Sequence, residues 1–355
     1  ANPGGSHYFN NSPVETQTPT LFRFTNNLQL NWGTYLSRGQ AATFNGSGEP
    51  GTVMTIDNAG HLIIATQIDI RPESPSCGPA GSATGWTVVN PGGGAYIDAS
   101  TISTHNTGRK TGIFEFNSSG ALVWSTLFGG NTISGTGYTG TNAWNDPGAI
   151  GRNSHGELYV VGHSSTTNFP TVNPGGGAYF QGTRSTSTSS LARDAYIVKF
   201  NSNRQMEWST YYGNNSTGEG TTFKGIGIDG QDNVFISGWA QLNSPLPSQA
   251  LAGSYFHASN PDRAVALLKF SRENQRLWAT EIGRDTWCSN TGGGFALNNS
   301  GGACSGSKLV MWAAAQDTYY GALTMVNPGG GAYFNASPEG LGTSSDFIME
   351  LTDAE

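Results

Sequence analysis

Charge is scarce in this chain. Only 12% of its 355 residues are Asp, Glu, Lys or Arg, 24 acidic against 17 basic, and the basic residues nowhere cluster. A surface that follows nucleic-acid phosphates needs a concentrated Lys/Arg stripe, so nucleic acid is excluded as a natural partner. Long apolar runs are missing too: none approaches the roughly 18 residues of a membrane-spanning helix, and no membrane span is expected. Ala1 is not followed by a basic, then apolar, targeting segment, so any export signal is expected to be removed or to lie outside this chain. Cysteine is limited to Cys77, Cys288 and Cys304, with no C-x-x-C and no His at ligand spacing, which argues against a thiolate metal centre. Cys288 and Cys304 flank the segment 294–298. They either close a small loop in an oxidising compartment or stay as thiols.

What is plentiful is glycine, at 51 residues, with 16 prolines and heavy use of Ser, Thr and Asn. That composition describes short strands joined by turns and excludes a helical fold. The length suits one large all-β domain or two ordinary ones.

Self-similarity organises the chain. One segment recurs four times as an alternating strand ending in Phe, a polar turn and a strand carrying Trp: LFRFTNNLQLNW, IFEFNSSGALVW, IVKFNSNRQMEW and LLKFSRENQRLW. Phe24 and Trp32, Phe116 and Trp124, Phe200 and Trp208, and Phe270 and Trp278 are each eight positions apart. Constant spacing across a hairpin implies a constant register, because a one-residue slip would turn every side chain to the opposite face. Each Trp is therefore expected in the core. A second hairpin follows each first one: GTVMTIDNAGHLIIAT, GAIGRNSHGELYVVG, KGIGIDGQDNVFISG and the longer GGFALNNSGGACSGSKLVMWA. Its turn is rich in Asn, Asp and Gly, and its second strand is continuously apolar, as at 158–161 and 234–236, which suggests burial on both faces. Two hairpins per repeat make four antiparallel strands, the composition of one β-propeller blade. The expected fold is all-β, a β-propeller of four-stranded antiparallel blades. It is one domain or section over 1–355, with repeats at 13–100, 101–183, 184–259 and 260–337 and a partial repeat at 338–355. Phe and Trp of the outer hairpin are expected to pack against the neighbouring blade.

Between the hairpins lies the most unusual string: WTVVNPGGGAYI from Trp86, FPTVNPGGGAYF from Phe169 and LTMVNPGGGAYF from Leu323. A large apolar residue stands four positions before the Asn each time; LAGSYF around Tyr255 and ANPGGSHYF at the start are weaker copies. Glycines permit positive φ and the proline fixes one φ, so a single tight loop shape is expected, with its Tyr pinned beneath. Recurrence favours a packing role between blades over ligand binding.

The strings WSTYYG from Trp208, GIDGQDNVFISG from Gly227, FPTVNPGGGAYF from Phe169 and DAYIVKFN from Asp194 together resemble the bacterial SBBP-type β-propeller repeat. The resemblance spans essentially the whole chain and is closest in the second and third repeats. Departures are the lost F-P at Trp86, the Gly-poor loop near Tyr255 and the long insertion around Cys304. The NPGGGAY form resembles loops of large surface proteins of Bacteroidota, often exported by the type IX route. The resemblance implies an extracellular or cell-surface setting and no particular reaction.

The chain opens inside a loop at Asn2 and closes on SDFIMELTDAE, with Leu351 where the repeat has Phe. Either the ends pair to close a small propeller or the chain is a section of a longer array; the out-of-phase ends favour the section.

Enzyme chemistry finds little support. His7, His61, His105, His155, His163 and His257 are scattered through loops and turns, and only His163 follows an inner strand closely enough to reach a propeller mouth. G-x-S-x-G, H-E-x-x-H and the sialidase S-x-D-x-G-x-T-W are missing. Asp57, Asp229 and Asp232 sit in turns of the second hairpin, where turn formation explains them better than catalysis or Ca²⁺ ligation. The expected function is a non-catalytic structural or interaction module, with no cofactor. Its expected partners are other domains of a longer chain, neighbouring surface proteins, or glycans. The alternatives are a carbohydrate-binding adhesin module and, less favoured, a glycan-active enzyme. For the adhesin, aromatics outside the repeat pattern would stack on sugar rings: Trp144, Trp239, Trp287, Trp312, Tyr319 and Tyr320.

Overall fold

The computed structural model describes residues 5, 7, 9–10, 20–36, 52–69, 88–100, 108–132, 143–185, 193–213, 220–240, 246–257, 264–282, 295–298, 308–316 and 344–352. Cys77, Cys288 and Cys304 lie outside them, as do Trp86, His105, Trp287, Tyr319 and Tyr320. Every described element of regular structure is a strand, and none is a helix long and apolar enough to cross a membrane.

Five sheets account for the strands. β1 (Thr20–Phe24) pairs with β2 (Leu30–Tyr35) in a sheet that has two strands among the described residues. Three sheets have four strands in sequential order. The first joins β3 (Thr52–Ile56), β4 (Leu62–Asp69), β5 (Arg109–Phe116) and β6 (Leu122–Phe128). The second joins β7 (Asn145–Arg152), β8 (Leu158–Ser164), β9 (Asp194–Phe200) and β10 (Met206–Tyr212). The third joins β11 (Thr221–Ile228), β12 (Val234–Ala240), β13 (Ala264–Phe270) and β14 (Arg276–Ile282). The last sheet has three strands, β15 (Phe295–Asn298), β16 (Lys308–Gln316) and β17 (Ser344–Thr352). Each four-stranded sheet unites a second hairpin with the Phe-to-Trp hairpin that follows it. The hydrogen-bonded sheet thus runs half a repeat out of step with a repeat counted from the Phe-to-Trp hairpin.

The eight-residue spacing has a specific geometry. Phe116 pairs with Leu122 and Glu115 with Trp124, with a register shift between them. The same shift sets Phe24 opposite Leu30 and Arg23 opposite Trp32, and Phe270 opposite Arg276 and Lys269 opposite Trp278. A bulge at one fixed place in the hairpin re-aims the side chains beyond it, so Phe and Trp never face each other across the ladder.

The chain divides into two compact units. One comprises Ala1–Pro174, Gly182–Arg184 and Tyr196–Tyr211; the other comprises Gly175–Gln181, Ser185–Ala195 and Tyr212–Glu355. In the first, sheet faces meet in layers. Leu21, Trp32 and Leu36 pack with Ile64, Phe114 and Phe116, Trp32 meeting Phe116 edge-on at 5.6 Å between ring centroids. The opposite face of the β3–β6 sheet, with Ile63, Ala65 and Trp124, packs with Val160, Val198 and Phe200. Trp124 and Phe200 lie 5.4 Å apart. Because successive residues point to opposite faces, β4 needs apolar residues at consecutive positions to serve both layers. Strand β7 packs against β3 and β4.

In the second unit, Tyr212 lies 4.8 Å from Tyr179, 5.5 Å from Phe223 and 6.2 Å from Phe270 between ring centroids. Its hydroxyl donates to the Pro247 carbonyl. Strand β11 packs against β15.

All four hairpin tryptophans, Trp32, Trp124, Trp208 and Trp278, are buried, as are Phe116, Phe200 and Phe270. Phe24 is 56% exposed, because its two-stranded sheet is packed on its Leu21 and Trp32 side, while the side carrying Phe22 and Phe24 is open.

Trp124→Ala is expected to cost about 3–5 kcal/mol in chemical denaturation, and Phe24→Ala under about 1 kcal/mol, since one opens a cavity and the other trims a solvated ring. Burial also raises the phenol pKa of Tyr96, Tyr196 and Tyr212 and pushes Tyr179 up to about 12. The unfolded phenols titrate near about 10, so above that pH the unfolded chain binds fewer protons than the folded one. Stability is therefore expected to be full below about pH 10 and to fall as pH climbs toward the raised values. Unfolding midpoints taken between pH 8 and 12 check this.

Candidate functional site

Hairpin turns share one construction. A short polar residue opens each described turn; its side-chain oxygen accepts the amide four positions on, as Thr25 takes Gln29, and in the other turns also the amide two positions on. Asp57 takes Ala59 and His61 at 2.9 and 2.7 Å, and Asn117 takes Ser119 and Ala121 at 3.1 and 2.9 Å. Asn201 takes Asn203 and Gln205 at 2.9 and 3.0 Å, and Asp229 takes Gln231 and Asn233 at 2.9 and 2.8 Å. The fourth residue adopts positive φ, at Gly60, Gly120, Gly156 and also at Leu28, Arg204, Asp232 and Asn274. Asp57 and Asp229 are thus turn openers, and Asp232 is the left-handed residue of its turn.

The Gly-rich loop extends its own sheet and reaches the next. Val89 bridges Ser125 on β6, and Asp98 accepts the Leu127 amide at 2.9 Å through its carbonyl, so the loop covers the open edge of the outer strand. The Tyr96 carbonyl accepts from Trp124 Nε1 at 3.2 Å, while the Tyr96 amide donates to the Arg204 carbonyl at 2.8 Å in the β9–β10 turn. Gly92, Gly93 and Gly94 all have positive φ, and a Cβ on Gly92 or Gly93 would meet nothing within 4 Å. Backbone conformation, not crowding, requires glycine there. The second copy behaves alike: Val172 bridges Ser209. Separately, the Tyr179 amide donates to the Asn274 carbonyl at 2.9 Å, and Gln275 Nε2 donates to the Gly176 carbonyl at 3.1 Å. Near the start of the chain, the Asn10 carbonyl accepts the Tyr35 amide at 3.1 Å on β2.

Charged side chains concentrate where two sheets of the first unit meet. Arg204 donates to both oxygens of buried Glu115, at 2.5 and 2.9 Å. Arg152 donates to Asp57 at 2.8 Å and lies 3.8 Å from Glu115. His61 Nδ1 stands 3.4 Å from Asp57 and 3.7 Å from Glu115. Two carboxylates are thereby shared among two guanidiniums and an imidazole. Arg204 is the left-handed residue of its turn, and both its carbonyl and its guanidinium are engaged across the interface.

A second cluster gathers at the strand ends of the same unit and forms the candidate site. Buried Asp146 at the start of β7 places its Oδ2 3.4 Å from the Arg109 guanidinium and 3.6 Å from Nε2 of buried His163. Arg109 also donates to Gln67 Oε1 at 3.3 Å, and its guanidinium carbon lies 4.8 Å from the Trp144 ring centroid. Beneath, Asn145 Oδ1 accepts from Ser164 Oγ at 2.8 Å and Thr166 Oγ1 at 3.1 Å, a wholly internal polar network. The Trp144 ring, half-buried, with the partly exposed Arg109 beside it can present a flat apolar surface flanked by a cation.

Of the aromatics singled out in the sequence, Trp144 belongs to this cluster, alongside His163. Trp239 is buried in the second unit with the Lys224 ammonium 6.0 Å from its ring. Trp312 pairs with Ile348 in the β16–β17 ladder. Arg109, Asp146 and Gln67 went unmarked in the sequence reading. A usable signal existed for Arg109, which stands seven residues before Phe116 as Arg193 does before Phe200 and Arg263 before Phe270. Among the described residues no group of three or more His, Cys, Asp or Glu is arranged to hold a metal ion. Comparison with protein-family models and with curated proteins found no match.

Arg204→Ala is expected to destabilise the chain by about 3 kcal/mol, because it removes the bidentate partner of buried Glu115 and leaves only the more distant Arg152 guanidinium and His61 imidazole near it. In a double-mutant cycle, Glu115→Leu with Arg204→Leu should lose clearly less than the sum of the single losses. Additive losses would show that the pair is not coupled.

Proposed function

We propose that this chain is a non-catalytic structural and interaction module, a β-propeller or section of one, from an exported bacterial cell-surface or secreted protein. Its partners are other domains of a longer chain or neighbouring surface proteins. The observation that carries this reading is where the repeated residues go. Trp32 against Phe116, Trp124 against Phe200, and the Tyr96 backbone against the β9–β10 turn all join one sheet to its neighbour. A repeat whose distinctive residues hold sheets together is suited to present loops and set spacing. The packing of β3 beside β7, and in the other unit of β11 beside β15, supports the propeller reading. The resemblance to SBBP-type repeats supports the extracellular setting.

A carbohydrate-binding adhesin is the second reading, favoured by the half-buried Trp144 ring beside the Arg109 guanidinium. The expected result on a glycan array and a polysaccharide panel is no binding above background and no product. A glycan signal that disappears in Trp144→Ala would transfer the reading to the adhesin, and product release lost in Asp146→Asn would make the chain an enzyme.

A further inference from the structure

We propose that Asn153, Glu157 and Lys199 form a self-modifying site, in which the Lys199 amine displaces ammonia from the Asn153 side-chain amide and leaves an isopeptide bond between the β7–β8 turn and β9. The reaction runs once per molecule and consumes its own residues, so it adds a covalent brace to the module without giving it turnover.

Three buried side chains meet inside the first unit. Asn153 opens the β7–β8 turn, Glu157 stands four positions on, directly before β8, and Lys199 lies on β9, the neighbour of β8 in the sheet. Asn153 Nδ2 donates to Glu157 Oε2 at 2.6 Å, and Lys199 Nζ stands 3.2 Å from the same oxygen. The attacking and the departing nitrogen thus share one carboxylate oxygen, the place for a group that takes a proton from one and gives it to the other. A second carboxylate, Glu207, lies 3.7 Å from the same ammonium; Glu157 differs in hydrogen-bonding the amide as well. Asn153 Oδ1 accepts the amides of His155 and Glu157 at 3.1 and 2.9 Å. Those donors already aim at the oxygen on which negative charge develops when the amide carbon becomes tetrahedral. The Tyr159 ring centroid lies 5.6 Å from Lys199 Nζ, and burial keeps competing water from the amide carbon.

Equivalent places in the repeat hold other chemistry. Asp57, His61 and Glu115 have neither amide nor lysine, and Asp229, Asn233 and Lys269 open on a carboxylate and have no acid four positions on. The turn openers Asn117 and Asn201 hold the same pair of backbone amides, but Ala121 and Gln205 stand where Glu157 does. The combination of amide, acid and lysine therefore belongs to one turn of the three four-stranded sheets.

The step balances without a co-reactant. The Lys199 ammonium gives one proton to Glu157, and the freed Nζ lone pair forms a bond to Asn153 Cγ while the carbonyl electrons move onto Oδ1. The carbonyl re-forms as the Cγ–Nδ2 bond breaks. Nδ2 leaves as ammonium with its own two protons, the one held by Glu157 and one more lost by Nζ. Nζ keeps a single proton as an amide, and Glu157 returns to the carboxylate. Like a disulfide, the link closes a loop, here 153–199, and restricts the unfolded chain.

Intact mass of the denatured full chain checks this. The chain, once folded, is expected to weigh about 17 Da less than its sequence mass, the loss of one ammonia. Proteolysis is expected to yield one branched peptide joining the Asn153 and Lys199 segments. Lys199→Arg and Glu157→Gln are each expected to restore the full sequence mass. An unaltered chain that stays at its sequence mass after long incubation in the folded state would overturn the proposal, whether or not the variants fold. A loss that persists in either variant would overturn it too, as would a loss without the branched peptide, the mark of an asparagine closing on its own backbone as a succinimide.

Discussion

Burial of both faces of a four-stranded sheet is the constraint on which the described structure depends. A strand sends successive side chains to opposite sides, so β4 offers Ile64 to one layer and Ile63 and Ala65 to the other. Neither side can then be polar, and in the first unit the β3–β6 sheet has a partner on each face. The bulge before the terminal Phe of β1, β5 and β13 belongs to the same requirement. It lets a hairpin carry a Phe for one layer and a Trp for the next. Trp32 against Phe116 and Trp124 against Phe200 are the outcome.

Layers buried on both sides leave edges and charges to be managed. The Gly-rich loops close the outer edges with single bridges to Ser125 and Ser209. Few charges remain, and several are matched across the sheet boundary. Glu115, directly before Phe116, cannot escape the interface, and Arg204 neutralises it from a turn in a backbone conformation that L residues seldom adopt. Arg109, Asp146 and His163 do comparable work at the strand ends. Low charge content and tight charge matching are two aspects of a fold with little solvated sheet surface.

Much of this was legible along the chain because it is local. Two hairpins per repeat, the burial of each Trp and the turn role of Asp57 and Asp229 follow from strand periodicity and short-range hydrogen bonds, and the structure agrees with each. The exposure of Phe24 was not legible, since its motif is indistinguishable from the three that are buried. What differs is what lies against the face that carries it, which leaves Phe24 exposed and Phe116, Phe200 and Phe270 buried. The Glu115–Arg204 pair spans 89 positions, and the meeting of Arg109, Asp146, His163 and Gln67 requires four strands, β4, β5, β7 and β8, to come together at one level. No spacing rule encodes such encounters. Trp144 stood out as a departure from the repeat, but nothing in the sequence indicated the guanidinium beside its ring.

The sequence by itself determined the all-β class, the hairpins and their registers, because alternation, turn openers and positive-φ residues act within a few positions of one another. Tertiary structure alone decided which hairpins share a sheet, and so set the half-repeat step between sequence and sheet. It also decided which identical motifs are covered and which charges meet. Those outcomes depend on what lies across a layer, and a residue's own neighbours in sequence carry no record of that.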